Sequence, residues 1–429
     1  MEREPDLDFS ASGHFYATHP IHAFAARCPP PLVRWAINRF TRLGDTVLDP
    51  MVGSGTTLVE AVLAGRRALG ADIDPLARLI AKVKATPVPT QDLAQAGDEV
   101  GRLLAGASLD DGWRPELPQF DRWFRPDVAS DLAALRVAIR ATPATLDIQN
   151  VMWVALSSLI VARTSVANAR DLVHSRHHYR AWDANPHVHD RFFRRLRQIQ
   201  RYFADYSALL QKSALPMPES AIVGEDARSL RLPARSVDLV FTSPPYGSAL
   251  DYTRAHIFAV GWLQEVLGTD PSKYRQLGRE YIGTERAALR EAAPGVIPPP
   301  TGIGEVDRVV AALAHDRKRA WIVYRYFRDM AAVLAEAFRA LKPGGHLVLV
   351  VCPSNIRRVM VPTPDLLADT IGHLQLEDGG AEVLALHQRT LHERRRLMPY
   401  LETAFGIRMR TEYVLVARKV PRGPLGVMA

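Results

Sequence analysis

The chain runs Val237-Asp238-Leu239-Val240-Phe241 directly into Thr242-Ser243-Pro244-Pro245-Tyr246-Gly247. The first run is short, β-branched and aromatic, and two consecutive prolines cut it off. It reads as a buried parallel strand that ends there, because proline has no N–H to give to a ladder. A rigid tetrapeptide therefore sits at the carboxyl end of a strand, the edge at which open α/β sheets bind ligands. With φ fixed and two backbone donors removed, the carbonyls of Ser243 and Pro244 are free to receive an amino group, and the ring of Tyr246 stands beside them to stack on a base. The bland alternative is a Pro-Pro turn with a tyrosine packed on it, so the rest of the chain has to decide.

A second strand-to-loop transition lies near the start. Asp45-Thr46-Val47-Leu48-Asp49-Pro50 reads as a strand closed by an acid and a breaker, and Met51-Val52-Gly53-Ser54-Gly55-Thr56-Thr57 turns into a helix starting near Leu58. Glycines let a ligand approach the backbone, and the free N–H groups at a helix start favour an electronegative group. No lysine follows Gly55, so this is not a Walker loop, and Thr57 and Leu58 stand where a full GxGxxG pattern wants glycine. On this reading Gly55→Val abolishes cofactor binding and leaves the fold largely intact. Further on, Arg67 to Pro75 holds a second strand ending in Asp72, and one βαβ repeat sets such an acid against ribose hydroxyls. Asp74-Pro75 caps a helix from Leu76 to Ala85. Later strands are expected at Ala221–Ala227, closing on Asp226, and at His346–Cys352. The latter follows an amphipathic helix, Tyr324 to Leu341, and the turn Lys342-Pro343-Gly344-Gly345.

Ser243-Pro244-Pro245-Tyr246 resembles the catalytic motif of S-adenosylmethionine-dependent amino-group DNA methyltransferases, in the serine-first form associated with N4-cytosine enzymes. Asp49 to Thr57 is similar to the cofactor loop of that family, with Met51 where an aromatic is usual. The resemblance covers Tyr16–Ala85 and Ala221–Lys419. It implies an α/β, Rossmann-like class I methyltransferase fold, with a mostly parallel seven-stranded sheet and a helical insertion. Two last strands, near Ala381–Leu386 and Glu412–Ala417, form an antiparallel hairpin at one edge. It implies S-adenosyl-L-methionine as cofactor, held by Tyr16, His19, Asp49, Pro50, Gly53, Ser54, Gly55, Thr56, Thr57, Asp72 and Ile73, with Asp226 and Ala227 near the adenine amino group. Ser243, Pro244, Pro245 and Tyr246 would be catalytic. The segment Tyr16–Pro31 has two readings: a proline-rich start to the helix Leu32–Phe40, or the family element that covers the methionine end of the cofactor.

The activity so implied is methyl transfer to the exocyclic N4 of cytosine in double-stranded DNA, by base flipping and in-line attack. Adenine-N6 methylation, an RNA amino-methyltransferase and a non-catalytic DNA-binding protein are the alternatives, and a cognate restriction endonuclease is an expected partner. Many serine-first enzymes place the two halves in the opposite order, which leaves open the segment that reads sequence. C5 methylation needs a cysteine nucleophile, usually after a proline, whereas Cys28 and Cys352 are each followed by one.

With 429 residues and a net charge of +8, the chain permits a polyanionic partner without demanding one. Met1–Ser10 is polar and acidic, and no apolar run approaches the ~18 residues of a membrane span, so a cytoplasmic protein is expected. Two cysteines without zinc-ligand spacing give no reason to expect a metal. The positive charge gathers between Arg163 and Arg201, where arginines interleave with histidines and aromatics. That composition suits phosphates and stacked bases, with a solvated basic helix face as the alternative. Arg176, Arg180, Arg191, Arg194, Arg195 and Arg254 are the expected DNA contacts. The chain thus divides into a first catalytic part (1–85), a helical Arg/His-rich insertion (86–220) with an apolar helix at Gln149–Ala167, and a second catalytic part (221–429). The last contains an irregular loop near 270–320, centred on Tyr281–Gly304.

Overall fold

A computed structural model describes residues 7–9, 15–24, 27–106, 109–160, 187–213, 215, 217–245, 252–286, 296–390 and 411–421. Its central strands are short and apolar on both sides. β1 (Thr46–Asp49) is buried throughout and β4 (Val237–Thr242) at all positions but Asp238, which is the pattern of parallel strands covered on both faces. With β2 (Arg67–Ala71), β3 (Ser220–Gly224), β5 (Leu341–Val351), β8 (Gly379–Thr390) and β9 (Thr411–Pro421), they form one seven-stranded sheet in the order β3-β2-β1-β4-β5-β9-β8. The pairs β2–β3, β1–β2, β1–β4 and β4–β5 are parallel, while β9 runs antiparallel to both β5 and β8. This is the Rossmann-like class I methyltransferase sheet, with its antiparallel hairpin at one edge.

Strand order reverses between β1 and β4, where Val47 lies opposite Leu239. The loops leaving these strands therefore open into one crevice, the switch point at which such sheets bind ligands. β5 begins earlier than the expected His346: Leu341 already pairs with Val237, His346 pairs with Leu239, and Lys342-Pro343-Gly344-Gly345 bulges out between them. Gly344, at φ +82°, suits such a bulge because it has no Cβ to crowd the left-handed region.

Successive residues of each strand feed opposite faces, as a two-residue period requires. Val47, Leu239 and Val348 join an apolar cluster on one face, and Leu48, Val240 and Leu347 join one on the other. The first face carries α1 (Pro30–Phe40), α2 (Thr56–Leu63) and α3 (Pro75–Ala85) together with α4 (Thr90–Gly106), α5 (Pro126–Ala141), α6 (Leu146–Leu159) and α7 (Val188–Ser213). The helical segment between β2 and β3 thus shares a core with the sheet, through Val100, Leu132, Met152, Phe192 and Phe203. Of the apolar helix expected at Gln149–Ala167, the part after Ile160 lies outside the described residues.

The second face is covered by α11 (Arg317–Ala340), which starts seven residues before the expected Tyr324 because Asp316 caps it by accepting from the Arg319 N–H, and by α12 (Thr363–Gly372). α8 (Tyr252–Trp262) follows the Ser-Pro-Pro-Tyr loop. The stretch 270–320, expected to be irregular, contains α9 (Pro271–Leu277) and α10 (Gly304–Ala312), with non-helical chain at 296–303. Asp270 and Pro271 supply the cap and first turn of α9. Among the described residues no helix is long and apolar enough to cross a membrane.

Candidate active site

The loop after β1, the end of β2, the turn after β3 and the loop after β4 line one cleft, with about 920 Å³ of empty space counting its open mouth. Of the residues expected at the cofactor, Asp49, Pro50, Gly53, Ser54, Thr56, Thr57, Asp72, Ile73, Asp226 and Ala227 line it, and Ser243 and Pro245 of the Ser-Pro-Pro-Tyr loop face the same space. Tyr246 lies outside the described residues.

Asp49 and Asp72 are the acids at the ends of β1 and β2. Thr57 Oγ1 donates to Asp49 Oδ2 at 2.6 Å and the Met51 N–H to Oδ1 at 3.1 Å. Burial still pushes the Asp49 carboxyl up to about 6. The Gly53 N–H donates to Asp72 Oδ2 at 2.8 Å and the Asp74 N–H to Oδ1 at 2.9 Å. Burial first, then the neighbouring charge of Asp74, pushes Asp72 up to about 7. Asp226 is different: burial works to raise it, but Arg228, whose Nη2 lies 2.9 Å from Oδ2, holds it below the usual carboxylate range.

The two glycines of the loop have different duties. Gly53 sits at φ +50°, and a Cβ there would stand 3.4 Å from the Phe24 ring. Gly55 sits at φ +83°, and a Cβ there would lie 2.7 Å from Cα of Ala81 on α3. Gly55 is therefore required by the close approach of α2 to α3, and it does not line the cleft. Valine there would disturb helix packing first, so the expected clean loss of cofactor binding does not follow from this position.

Tyr16 and His19 also face elsewhere. Tyr16 Oη donates to Glu60 Oε1 at 2.5 Å, His19 Nε2 is 2.8 Å from the same oxygen, and Arg34 Nε is 2.8 Å from Oε2. Glu60 is wholly buried on α2, so these residues fasten the segment before α1 onto that helix. The same segment brings Phe24, Arg27 and Cys28 to the cleft, while Tyr16 and His19 do not line it. α1 itself begins at Pro30, with proline in its first turn, so the two readings of Tyr16–Pro31 are compatible.

Several lining residues carried no signal in the sequence. Tyr252 stacks between Phe24 and Tyr281, with ring centroids 6.0 and 6.4 Å apart and planes within 22° and 19°. Asp74 caps α3 through the Leu76 N–H at 2.9 Å, as expected, but its Oδ2 also meets His256 Nδ1 at 2.7 Å and Tyr274 Oη at 2.8 Å. Burial opposes ionisation of Asp74; His256, Tyr274 and the helix N–H groups outweigh it and hold the carboxyl below its usual range. Tyr252 and His256 belong to Asp251–His256, directly after the catalytic loop, so their place in the chain was the one available clue. Pro244 is not among the lining residues, and the Ser243 hydroxyl donates to the Val350 carbonyl of β5 at 3.3 Å.

The cleft is acidic, with Asp49, Asp72, Asp74, Asp226 and Glu280 against Arg27 and Arg228. Such a lining disfavours the pyrophosphate of a dinucleotide and suits a nucleoside that carries a sulfonium cation. Asp72 would take the ribose, Phe24, Ile73 and Ile282 supply apolar wall, and Asp226 with Ala227 lies at the far end of the sheet crevice. S-adenosylmethionine fits this donor set.

The expected DNA contacts separate into groups. Arg194 and Arg197 are exposed on α7 and Arg254 is exposed on α8, whereas Arg191 is half-buried. Arg195 turns inward: its Nη2 donates to the carbonyls of Pro20 and Ile21, and its Nε to Ser158 Oγ at 3.2 Å. It pins the N-terminal segment instead of facing solvent. Arg176 and Arg180 lie outside the described residues.

Comparison with known proteins agrees with this geometry. Residues 7–82 match a family model described as DNA methylase. The Type II methyltransferase M.MvaI of Kocuria varians is 24% identical over 372 residues, covering 82% of this chain and 80% of that protein. The Type II methyltransferase M.MjaII of Methanocaldococcus jannaschii is 40% identical over 75 residues, covering 18% of this chain and 14% of that protein. A crystal structure of a SAM-dependent methyltransferase from Methanosarcina mazei aligns over 90% of this chain and 97% of its own, at 11% identity and a TM-score of 0.32. The sheet order, the acidic cleft at its switch point and the sequence matches to the DNA methylase model and the Type II methyltransferases support one reading, that of an S-adenosylmethionine-dependent methyltransferase similar to the DNA methylases.

Proposed function

We propose that this protein methylates the exocyclic N4 of cytosine in duplex DNA, acting in the cytoplasm at a specific site. The observation that carries the proposal is the meeting of Ser243 and Pro245 with Asp49 and Asp72 in one cleft, because a serine-first Pro-Pro loop then borders the space that suits the cofactor. When bound, the cofactor supplies an electrophilic methyl group. An exocyclic amine is a poor nucleophile because its lone pair is delocalised into the ring. Main-chain oxygens of Ser243 and Pro244 accept its N–H hydrogens and favour a more tetrahedral nitrogen, and one amine proton is lost to solvent after transfer. The Ser243 hydroxyl, already donating to Val350, holds the loop against β5. Most of the acceleration then comes from orientation. The target base leaves the duplex to reach the loop, with Tyr246 stacking on it.

Arg191, Arg194, Arg197 and Arg254 are the proposed phosphate contacts, and a cognate restriction endonuclease reading the same site is the proposed partner enzyme. The deciding experiment incubates the protein with duplex DNA and S-adenosylmethionine and identifies the methylated nucleoside by mass spectrometry. N4-methylcytosine is expected. N6-methyladenine would move the same machinery to adenine, and no methylated nucleoside from a protein that binds the cofactor would sink the DNA reading.

A further inference from the structure

β6 (Ser354–Ile356) and β7 (Val359–Val361) form a small antiparallel hairpin in which Ile356 pairs directly with Val359. The turn therefore consists of Arg357 and Arg358 alone, and both have positive φ, 51° and 68°. A two-residue hairpin turn of that kind is normally made by Asn-Gly, because a Cβ is crowded in the left-handed region. Arginine at both positions carries the conformational cost and gains no packing in return, since both side chains are exposed. Strain of this sort persists where the surroundings hold it and a function uses it.

The surroundings do hold it. Ile356 and Val361 are buried in the apolar cluster that also contains Val306 and Val310 of α10. Arg357 Nε lies 2.9 Å from Oδ2 of Asp316, the residue that caps α11. Arg358 makes no ion pair among the described residues. The neighbouring cations Lys318 and Arg319 are only partly exposed and are paired with Glu285, whereas both tip arginines are exposed, Arg357 with a single carboxylate neighbour in Asp316. Its place in the fold is equally specific. β5 lies beside β4, with Leu349 opposite Thr242 and the Val350 carbonyl bonded to Ser243. The hairpin thus leaves the sheet at the same carboxyl edge as Ser243-Pro244-Pro245.

We infer that the Arg357–Arg358 tip grips the phosphate backbone of duplex DNA beside the target base. The inference rests on the proposed DNA substrate. Two adjacent guanidinium groups on a short, anchored hairpin present planar forks that match phosphate oxygens, and a rigid tip loses little freedom on binding. A contact of this kind sets the register of the duplex over the catalytic loop and reads no bases.

The test replaces the pair with the sequence the turn prefers, Arg357→Asn with Arg358→Gly, and measures duplex-DNA binding across a salt series, cofactor affinity and melting temperature. The expected result is a melting temperature equal to or above that of the parent, unchanged cofactor affinity, weaker DNA binding, and a log–log salt slope reduced by roughly two. Arg357→Lys with Arg358→Lys keeps both charges and is expected to retain the slope. Unchanged DNA affinity and slope in the Asn-Gly variant would overturn the inference, as would parallel loss of DNA and cofactor binding, which marks structural support. If the unmodified protein shows no salt-dependent binding to duplex DNA, the substrate reading itself fails, and the clamp with it.

Discussion

His256 Nδ1 lies 2.7 Å from Oδ2 of Asp74, joining residues 182 positions apart. Asp74 stands two residues beyond Asp72, while His256 is in the second turn of the helix that follows the catalytic loop. The contact ties the turn after β2 to the helix that follows the Ser-Pro-Pro-Tyr loop, across one wall of the cleft. Tyr274 and, through it, Tyr281 complete the chain, with Tyr281 Oη donating to Tyr274 Oη at 3.3 Å.

Removing the imidazole leaves Asp74 buried with one partner fewer. His256→Ala is expected to cost about 1.5–3 kcal/mol of stability, the range for a hydrogen bond to a charged group, and to weaken cofactor binding. His256→Asn, whose amide nitrogen falls near the position of Nδ1, should recover part of both losses. Denaturant unfolding and calorimetric titration with S-adenosylmethionine read the two effects. Equal behaviour of the Ala and Asn variants would show that the ring packs without bonding.

The raised carboxyls make the cofactor site sensitive to pH. Asp49 and Asp72 titrate at about 6 and about 7 in the folded protein, against about 4 in an unfolded chain. Between those values the folded state holds protons that the unfolded chain has lost, so the stability of the cofactor-free protein falls as pH rises from about 4 to about 7. Cofactor affinity runs the other way. An ionised Asp72 accepts hydroxyl hydrogen bonds and balances a cation, so binding should tighten between about pH 6 and pH 8. Asp72→Asn should weaken binding and flatten both trends, followed by melting temperature and titration calorimetry. Affinity that declines over that pH range would contradict the assignment of Asp72 to the cofactor.

The catalytic loop gives a graded series. Ser243→Ala removes the hydroxyl bonded to Val350 but keeps the backbone carbonyl, so a modest fall in turnover is expected, with cofactor affinity retained. Pro244→Ala frees φ and should lower turnover more than DNA affinity. Tyr246→Ala should cost about 1–3 kcal/mol, the worth of stacking on one base. Transfer of labelled methyl to duplex DNA, measured beside cofactor binding, separates these effects. Full activity in the Pro244→Ala, Tyr246→Ala double variant would reduce the loop to a plain turn.

What could be read from the chain was whatever contiguous residues encode. The strand at 237–242 ends where prolines stop it, the loop at 49–57 turns where glycines permit it, and Asp72 falls one βαβ repeat later, so the sheet class and the loops that border the cleft were legible. Contacts across long separations were not. No local pattern tells that Gly55 must be bare for Ala81 to approach, that Tyr16 and His19 serve Glu60, or that Asp74 has a second duty toward His256 and Tyr274. The arginines of α7 lie between these cases. Phe192, Leu196, Ile199 and Phe203 form its buried stripe, which leaves Arg194 and Arg197 outside, but Arg195 borders that stripe and finds carbonyls of Pro20 and Ile21 that only the folded chain brings within reach. Backbone conformation is dictated by neighbours in sequence; the partner of a buried polar group is dictated by what packing places beside it.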